Sequence, residues 1–199
     1  MSHYFENDEE LVHNEHIINV KIKNIYFDFY VDNGVFSKNK LDYGTRVLLE
    51  TLDTKEINGN VLDFGCGYGP IGIFLAKTTF AQIDMVDINK NALSLAIKNL
   101  KLNNLNATVF ESNIYSNINK KYDYIISNPP IRVGKKILYQ ILFEAKKHLN
   151  KNGKLWIVIN KDQGAKTVVR DLSNDYNVEI KNKSKGFYII CATSNWQLA

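Results

Sequence analysis

The sequence predicts a doubly wound α/β fold: a mostly parallel, seven-stranded Rossmann-like sheet with an antiparallel edge strand and an N-terminal β-hairpin. Three observations predict it. From residue 60 onward, short apolar runs of strand length alternate with segments of helical periodicity. The first strand runs directly into a glycine-rich loop, "VLDFGCGYGPIG" at 61–72. The last two strand patterns are separated only by "NKSKG", too short for a crossover helix, so they must pair antiparallel.

Taken in order, residues 1–14 are acidic and without an apolar pattern. "IINVKIK" (17–23) places Ile18, Val20 and Ile22 on one face, and "IYFDFYV" places Ile25, Phe27, Phe29 and Val31 on one face. That period of two, broken at Asn24, is a hairpin. "DNGVFSKNK" is a loop, and 41–52 is a short helix with Val47, Leu48 and Leu52 inward. Strands follow at 60–64, 81–86, 106–110, 122–127, 153–160, 176–181 and 186–192, with helices at about 70–78, 89–103, 134–149 and 163–173. In the second of these helices Ala92, Leu95, Ala96 and Leu100 recur at helical spacing, and Asn89 is placed to cap it. The organisation expected is an N-terminal extension and hairpin at 1–40, packed on a main domain at 41–199.

Composition narrows the function classes. The chain has 199 residues, 45% hydrophobic and 23% charged, which suits one soluble domain with a sizeable core. No run approaches the ~18 apolar residues of a membrane span, and the acidic start lacks the apolar core of a secretory signal. Cys66 and Cys191 stand far apart, which fits a reducing cytoplasm and neither a disulfide framework nor a metal site. The net charge of +4 is uneven: residues 130–199 carry 13 Lys and Arg against 5 Asp and Glu, whereas residues 1–129 carry 12 against 16. A basic third on an acidic body suits a polyanion, and equally a solvated lysine-rich surface.

Gly67, Gly69 and Gly72 spell the dinucleotide pattern G-x-G-x-x-G, and Asp87 ends the next strand 20 residues after Gly67. Glycines after a strand let a ligand approach the backbone, and the helix start offers free N–H groups. NAD, FAD and S-adenosylmethionine all fit this much, and a carboxylate at Asp87 can accept from both hydroxyls of a ribose. Two features separate the three. Asp63 lies two residues before Gly65, where it would repel a pyrophosphate but suit the ammonium of a methionine moiety. The fourth parallel strand then ends in "SNPP", Ser127 to Pro130. Pro129 and Pro130 each restrict the residue before them to extended geometry. The Asn128 carboxamide oxygen and the Pro129 carbonyl can thus accept the two hydrogens of a planar NH₂ group, aiming its nitrogen at a methyl sulfonium.

"VLDFGCGYGPIG", "MVDIN", "ESNIYSNI" and "YDYIISNPPI" resemble the successive motifs of class I S-adenosylmethionine-dependent methyltransferases. The upstream "NGVFSKNKLDYGTRVLLETL" is more specific and resembles the RsmC-type small-subunit ribosomal RNA guanine-N2 methyltransferases. The resemblance runs from about residue 17 to 192. It implies that Gly65, Cys66 and Gly67 line the methionine end of S-adenosylmethionine, that Asp87 holds its ribose, that Asn113 and Ile114 face its adenine, and that Gly69 and Ile88 also belong to the cofactor site. It implies that Phe36 and Thr45 lie over the site, and that Asn128 and Pro129, stiffened by Pro130, hold the target amine. Two departures touch the substrate. The enzymes resembled have two tandem methyltransferase-like domains, and this chain is expected to lack the positioning one. Where they often carry an aromatic residue after N-P-P, this chain has Ile131.

Arg132, Lys135 and Lys136 follow the corner, Lys161 follows the fifth parallel strand, and Lys181, Lys183 and Lys185 are read as a terminal hairpin turn. These cations can meet RNA phosphates, with Phe36, Phe187 or Tyr188 as stacking partners, although strand packing suits the last two better. The function implied is methylation of a guanine N2 amine in RNA in the cytoplasm, with no metal and no membrane. Adenine N6 and a protein glutamine remain open as targets, because the same corner serves all three. A non-catalytic RNA-binding or assembly factor on the same fold is the alternative of another class.

Overall fold

The hairpin pairs β1 (His16–Ile22) with β2 (Ile25–Val31) through a two-residue turn, Lys23 and Asn24, at φ +47° and +65°. Both central residues at positive φ is the turn whose twist matches a two-stranded ribbon. The structure, a computed structural model, describes residues 15–32, 40–129 and 134–194. Ile18, Val20, Ile22, Phe27, Phe29 and Val31 are buried, and the alternate residues Ile17, Asn19, Tyr26 and Asp28 face out, as the period of two requires.

Helix α1 (Tyr43–Thr51) starts at Asp42, whose side chain accepts from Thr45 N–H. The main body then alternates β3 (Asn60–Phe64), α2 (Pro70–Thr78), β4 (Gln82–Asp87), α3 (Lys90–Leu102), β5 (Thr108–Glu111), β6 (Tyr122–Ser127), α4 (Gly134–Glu144), β7 (Leu149–Asn160), α5 (Ala165–Leu172), β8 (Tyr176–Ser184) and β9 (Phe187–Ser194). The strand order is β5-β4-β3-β6-β7-β9-β8. β3 to β7 run parallel, and β9 is antiparallel to both its neighbours.

The antiparallel pair expected at the sheet edge is present: β9 lies against β7, and β8 forms the rim. A two-residue turn, Lys185 and Gly186, joins the pair. Lys181 and Lys183, read as turn residues, belong to β8 instead. An edge strand with solvent on one side needs little apolar pattern to pair, which is why its length was illegible. α4 ends at Glu144, and a 3₁₀ turn at Ala145–His148 completes the expected helix before β7 begins four residues early, at Leu149. The expected helix runs to residue 149 and the expected strand starts at 153, but Leu149 is buried and is in register with Tyr122 of β6.

Both sheet faces are covered, so strand residues alternate between two apolar cores. Val61, Met85, Ile126 and Trp156 join the hairpin, α1, α2 and α3; Leu62, Val86, Ile125 and Ile157 join α4 and α5. The hairpin is bound by ring contacts, Phe27 with Phe74 and Phe29 edge-on to Tyr68 at 5.6 Å. It is also held by a side chain that imitates a strand edge. Buried Asn99 of α3 accepts from Tyr30 N–H at 2.6 Å and donates to Tyr30 C=O at 3.0 Å and Tyr68 C=O at 2.9 Å. The strand order reverses between β3 and β6, where an open α/β sheet presents its ligand crevice.

Candidate active site

The loop after β3 is built from backbone groups. Cys66 N–H donates to Val86 C=O at 2.9 Å, and Gly67 N–H to Asp87 Oδ2 at 2.9 Å. Asp87 Oδ1 accepts Asn89 N–H at 2.9 Å, so one carboxylate at the end of β4 braces both the loop and the start of α3. Gly65 and Gly67 lie at φ +69° and +57°, and a Cβ on either would meet nothing within 4 Å. Their bare backbones border open space. Gly69 and Gly72 serve packing: a Cβ there would meet Met85 side-chain atoms at 2.8 and 2.7 Å.

Asp63, at the heart of β3, is fully buried. One oxygen accepts Gly72 N–H at 2.8 Å, capping the first turn of α2 from another element. Its other oxygen has no hydrogen-bond partner among the described residues. Burial, reinforced by the nearby Asp87 charge, pushes its carboxyl up to about 8 against the pull of the Gly72 bond. Of three buried polar side-chain atoms without a partner among the described residues, two flank this loop: Asp63 Oδ1 and the Tyr68 hydroxyl. An orphaned acidic oxygen beside open glycines fits a ligand with an ammonium group and a chain that runs close to the backbone. Cys66 is buried, and desolvation raises its thiol well above the ordinary range, which removes it as a nucleophile.

Ile114, just beyond β5, holds φ +53°. For a β-branched residue this is strained. Ser112 Oγ donates to Ile114 C=O at 2.9 Å and accepts Asn117 N–H at 3.3 Å, holding the turn. Asn113 is exposed in the same turn, next to the strand that ends in Asp87. Ile88 follows Asp87 half-buried.

Across the switch point, β6 ends at Ser127, whose hydroxyl donates to Phe64 C=O at 2.7 Å and ties the two strand ends together. Asn128 Nδ2 donates to Asp42 Oδ2 and to Thr45 Oγ1, both at 2.9 Å. Its Oδ1 makes no hydrogen bond among the described residues. Thr45, named from the sequence, thus sits beside Asn128. Asp42 was missed, although an Asp just before a helical pattern is a capping signal. Asn99 was missed too; its signal is a polar residue on the buried stripe of α3.

Phe36, Pro130, Ile131 and Arg132 lie outside the described residues. Lys135 and Lys136 are exposed in the first turn of α4, with Lys135 Nζ 5.2 Å from the Tyr139 ring centre on its own helix. Lys161, Lys183 and Lys185 lie at the same sheet end as Asn128, with Lys185 over Tyr43 and Lys183 over Tyr188. Phe187 packs on Tyr43 and against Gly44, so it is a strut of that end rather than a free ring. Among the described residues no cluster of three or more His, Cys, Asp or Glu is placed to hold a metal, and no helix is long and apolar enough to cross a membrane.

A reversed-order sheet with a glycine loop, an acidic strand end and an N-P-P corner at its switch point defines a Rossmann-like methyltransferase. The profile of the family "Methyltransferase small domain" matches residues 26–191, and the chain belongs to that family. It is 37% identical over 195 residues to the uncharacterized protein YbxB of Bacillus subtilis, covering 96% of this chain and 97% of that one. It is 45% identical over 150 residues to ribosomal RNA small subunit methyltransferase C of Haemophilus influenzae, covering 73% of this chain and 45% of the relative. The chain thus spans about half the length of those methyltransferases. Its fold resembles the T. thermophilus 16S rRNA N2 G1207 methyltransferase RsmC, solved with AdoMet and guanosine, at TM-score 0.81 and 22% identity over 91% of this chain and 51% of that one. It also resembles a ribosomal protein L11 methylase from Lactobacillus delbrueckii subsp. bulgaricus, at TM-score 0.66 and 19% identity over 78% and 84%.

Proposed function

We propose that this chain transfers a methyl group from S-adenosylmethionine to the exocyclic N2 amine of a guanine in small-subunit ribosomal RNA. The observation that carries the reading is the Asn128 carboxamide: its nitrogen is engaged on both sides, which leaves Oδ1 as a fixed acceptor beside the glycine loop. S-adenosylmethionine supplies an electrophilic methyl on a sulfonium, a donor that needs no activation by the protein. Gly65 and Gly67 pass its methionine chain close to their backbones, with Asp63 Oδ1 receiving the ammonium. Asp87 accepts the ribose hydroxyls, and the Asn113–Ile114 turn borders the adenine. Asn128 Oδ1 and the Pro129 carbonyl accept the two amine hydrogens and turn the nitrogen lone pair to the methyl. As the new N–C bond forms, the S–CH₃ bond breaks with its electron pair left on the sulfur as a neutral thioether, and the surplus amine proton leaves to water, so no buried base is required. Lys161, Lys183 and Lys185 supply phosphate contacts at the same sheet end, and the target base is flipped out or already unpaired.

Two kinds of measurement test this. Nucleosides from cells with and without the gene are compared by mass spectrometry; loss of one N2-methylguanosine in small-subunit RNA is expected. Labelled transfer is run on small subunits, naked ribosomal RNA, DNA and protein extract. Label in protein alone, the outcome matching the L11 methylase likeness, would refute the RNA assignment, and no transfer on any of them would favour a non-catalytic factor.

A further inference from the structure

We propose that Asp42 is a positioning residue for methyl transfer: with Thr45 it locks the Asn128 carboxamide with its nitrogen inward and its oxygen toward the target amine. This rests on the N-methylation reading above and adds a residue from outside the N-P-P motif. Asp42 Oδ2 accepts three donors, Thr45 N–H at 2.9 Å, Thr45 Oγ1 at 3.3 Å and Asn128 Nδ2 at 2.9 Å. An ionised carboxylate can only accept. The group facing it must therefore be the NH₂ end of Asn128, and the oxygen must point the other way. Thr45 completes the lock: its hydroxyl gives its hydrogen to Asp42 and accepts the second Nδ2 hydrogen at 2.9 Å. Both hydrogens of the carboxamide are thereby used.

The orientation matters because a carboxamide turned end for end would present NH₂ to an incoming NH₂, donor against donor. The corner would then favour a carbonyl over an amine. A carboxylate behind the nitrogen also polarises the amide, and so strengthens Oδ1 as an acceptor. Asp42 is held firmly enough to do this. It caps α1, whose Gly44, Thr45 and Leu48 are buried, and Gly44 leaves no slack: a Cβ there would meet the Phe187 ring at 3.0 Å and Asp42 Oδ2 at 3.1 Å. The partners are 86 residues apart, so the segment before the cofactor loop tunes the corner after β6.

The test uses the full chain. Asp42→Ser keeps a capping oxygen for α1 but cannot reach Asn128; Thr45→Val keeps the cap and removes only the relay. In ¹⁵N-labelled protein the Asn128 side-chain NH₂ signal is identified by its loss in Asn128→Ala. In wild type both hydrogens should exchange slowly with water; in Asp42→Ser they should exchange as freely as exposed carboxamides. On small ribosomal subunits Asp42→Ser should lower kcat by about 10-fold or more, with KM for the subunit and calorimetric S-adenosylmethionine affinity within about 2-fold, and Thr45→Val should lower it less. The double variant Asp42→Ser/Asn128→Ala should be no slower than Asn128→Ala alone. Retained protection of the Asn128 hydrogens in Asp42→Ser, or multiplicative losses in the double variant, would overturn the proposal. If wild type methylates no RNA while Asp42→Ser still frees those hydrogens, the orientation stands and the substrate reading falls.

Discussion

The glycine loop and the Asn128 corner stand at the ends of neighbouring strands, β3 and β6, and are made from different materials. The loop is held by main-chain groups and one carboxylate 20 residues away, and it opens to space where side chains are missing, at Gly65 and Gly67. The corner is held by side chains, Asp42, Thr45 and Ser127, reaching across 63 to 86 residues. A site that binds a ligand along its backbone needs space and bare N–H groups. A site that orients a reacting atom needs each side chain locked in one rotamer. The two regions should therefore fail differently when changed: the loop in affinity, the corner in turnover.

The largest separation is expected from Asn128→Ala. Turnover should fall by about 10²-fold or more while S-adenosylmethionine affinity, measured by calorimetry, changes little; parallel losses would erase the distinction between the two regions. Next comes Gly67→Val, which fills the open space and strains a left-handed position by about 1–2 kcal/mol. Cofactor affinity should drop by about 10²-fold, with a modest fall in melting temperature. Its control, Gly72→Ala, drives a Cβ into Met85 and should lower stability first.

Asn99→Ala sharpens the picture from the hairpin side. It strips partners from Tyr30 and Tyr68 backbone groups and should cost about 2–4 kcal/mol in denaturant unfolding, each buried orphan adding about 1–3 kcal/mol. Asp63 carries the pH dependence. Folded, its carboxyl sits at about 8; unfolded, near 3.8. Between those values the folded chain keeps a proton that the unfolded chain has released, so the Asp63 contribution is complete below the lower value and is lost as pH rises toward the upper one. The slope is at most about 1.4 kcal/mol per pH unit, and Asp63→Asn should flatten it in unfolding curves taken from pH 5 to 8. The smallest effect belongs to the sheet edge: Lys183→Glu with Lys185→Glu should weaken RNA binding mainly at low salt and reduce its salt slope by about one per lysine removed.

Much of the fold was readable residue by residue. β3, α2 and β6 fall where their patterns predict, because a strand buried on both faces and an adjoining helix each impose a period that no loop imitates. The start of β7 and the length of β8 were not readable. There pairing rests on backbone bonds between polar residues, and Asn152 and Gly153 imitate a turn. The antiparallel pair was evident from its short connection, whereas which member forms the rim depends on β7, which takes β9 as its neighbour.

The same division runs through the site. Gly65, Gly67, Asp87 and Asn128 stand out as candidates in order along the chain, because the proposed ligand chemistry asks for those residue types at the ends of strands. Their roles separate only in the closed fold. Gly69 and Gly72 turn to Met85 while Gly65 and Gly67 turn to open space, and Asp63 is half satisfied by a helix start nine residues on. Asp42 meets Asn128 only because α1 lies over the end of β6. A linear pattern carries what each residue can do, but the direction of a hydrogen bond depends on which donor or acceptor the folded chain brings opposite it.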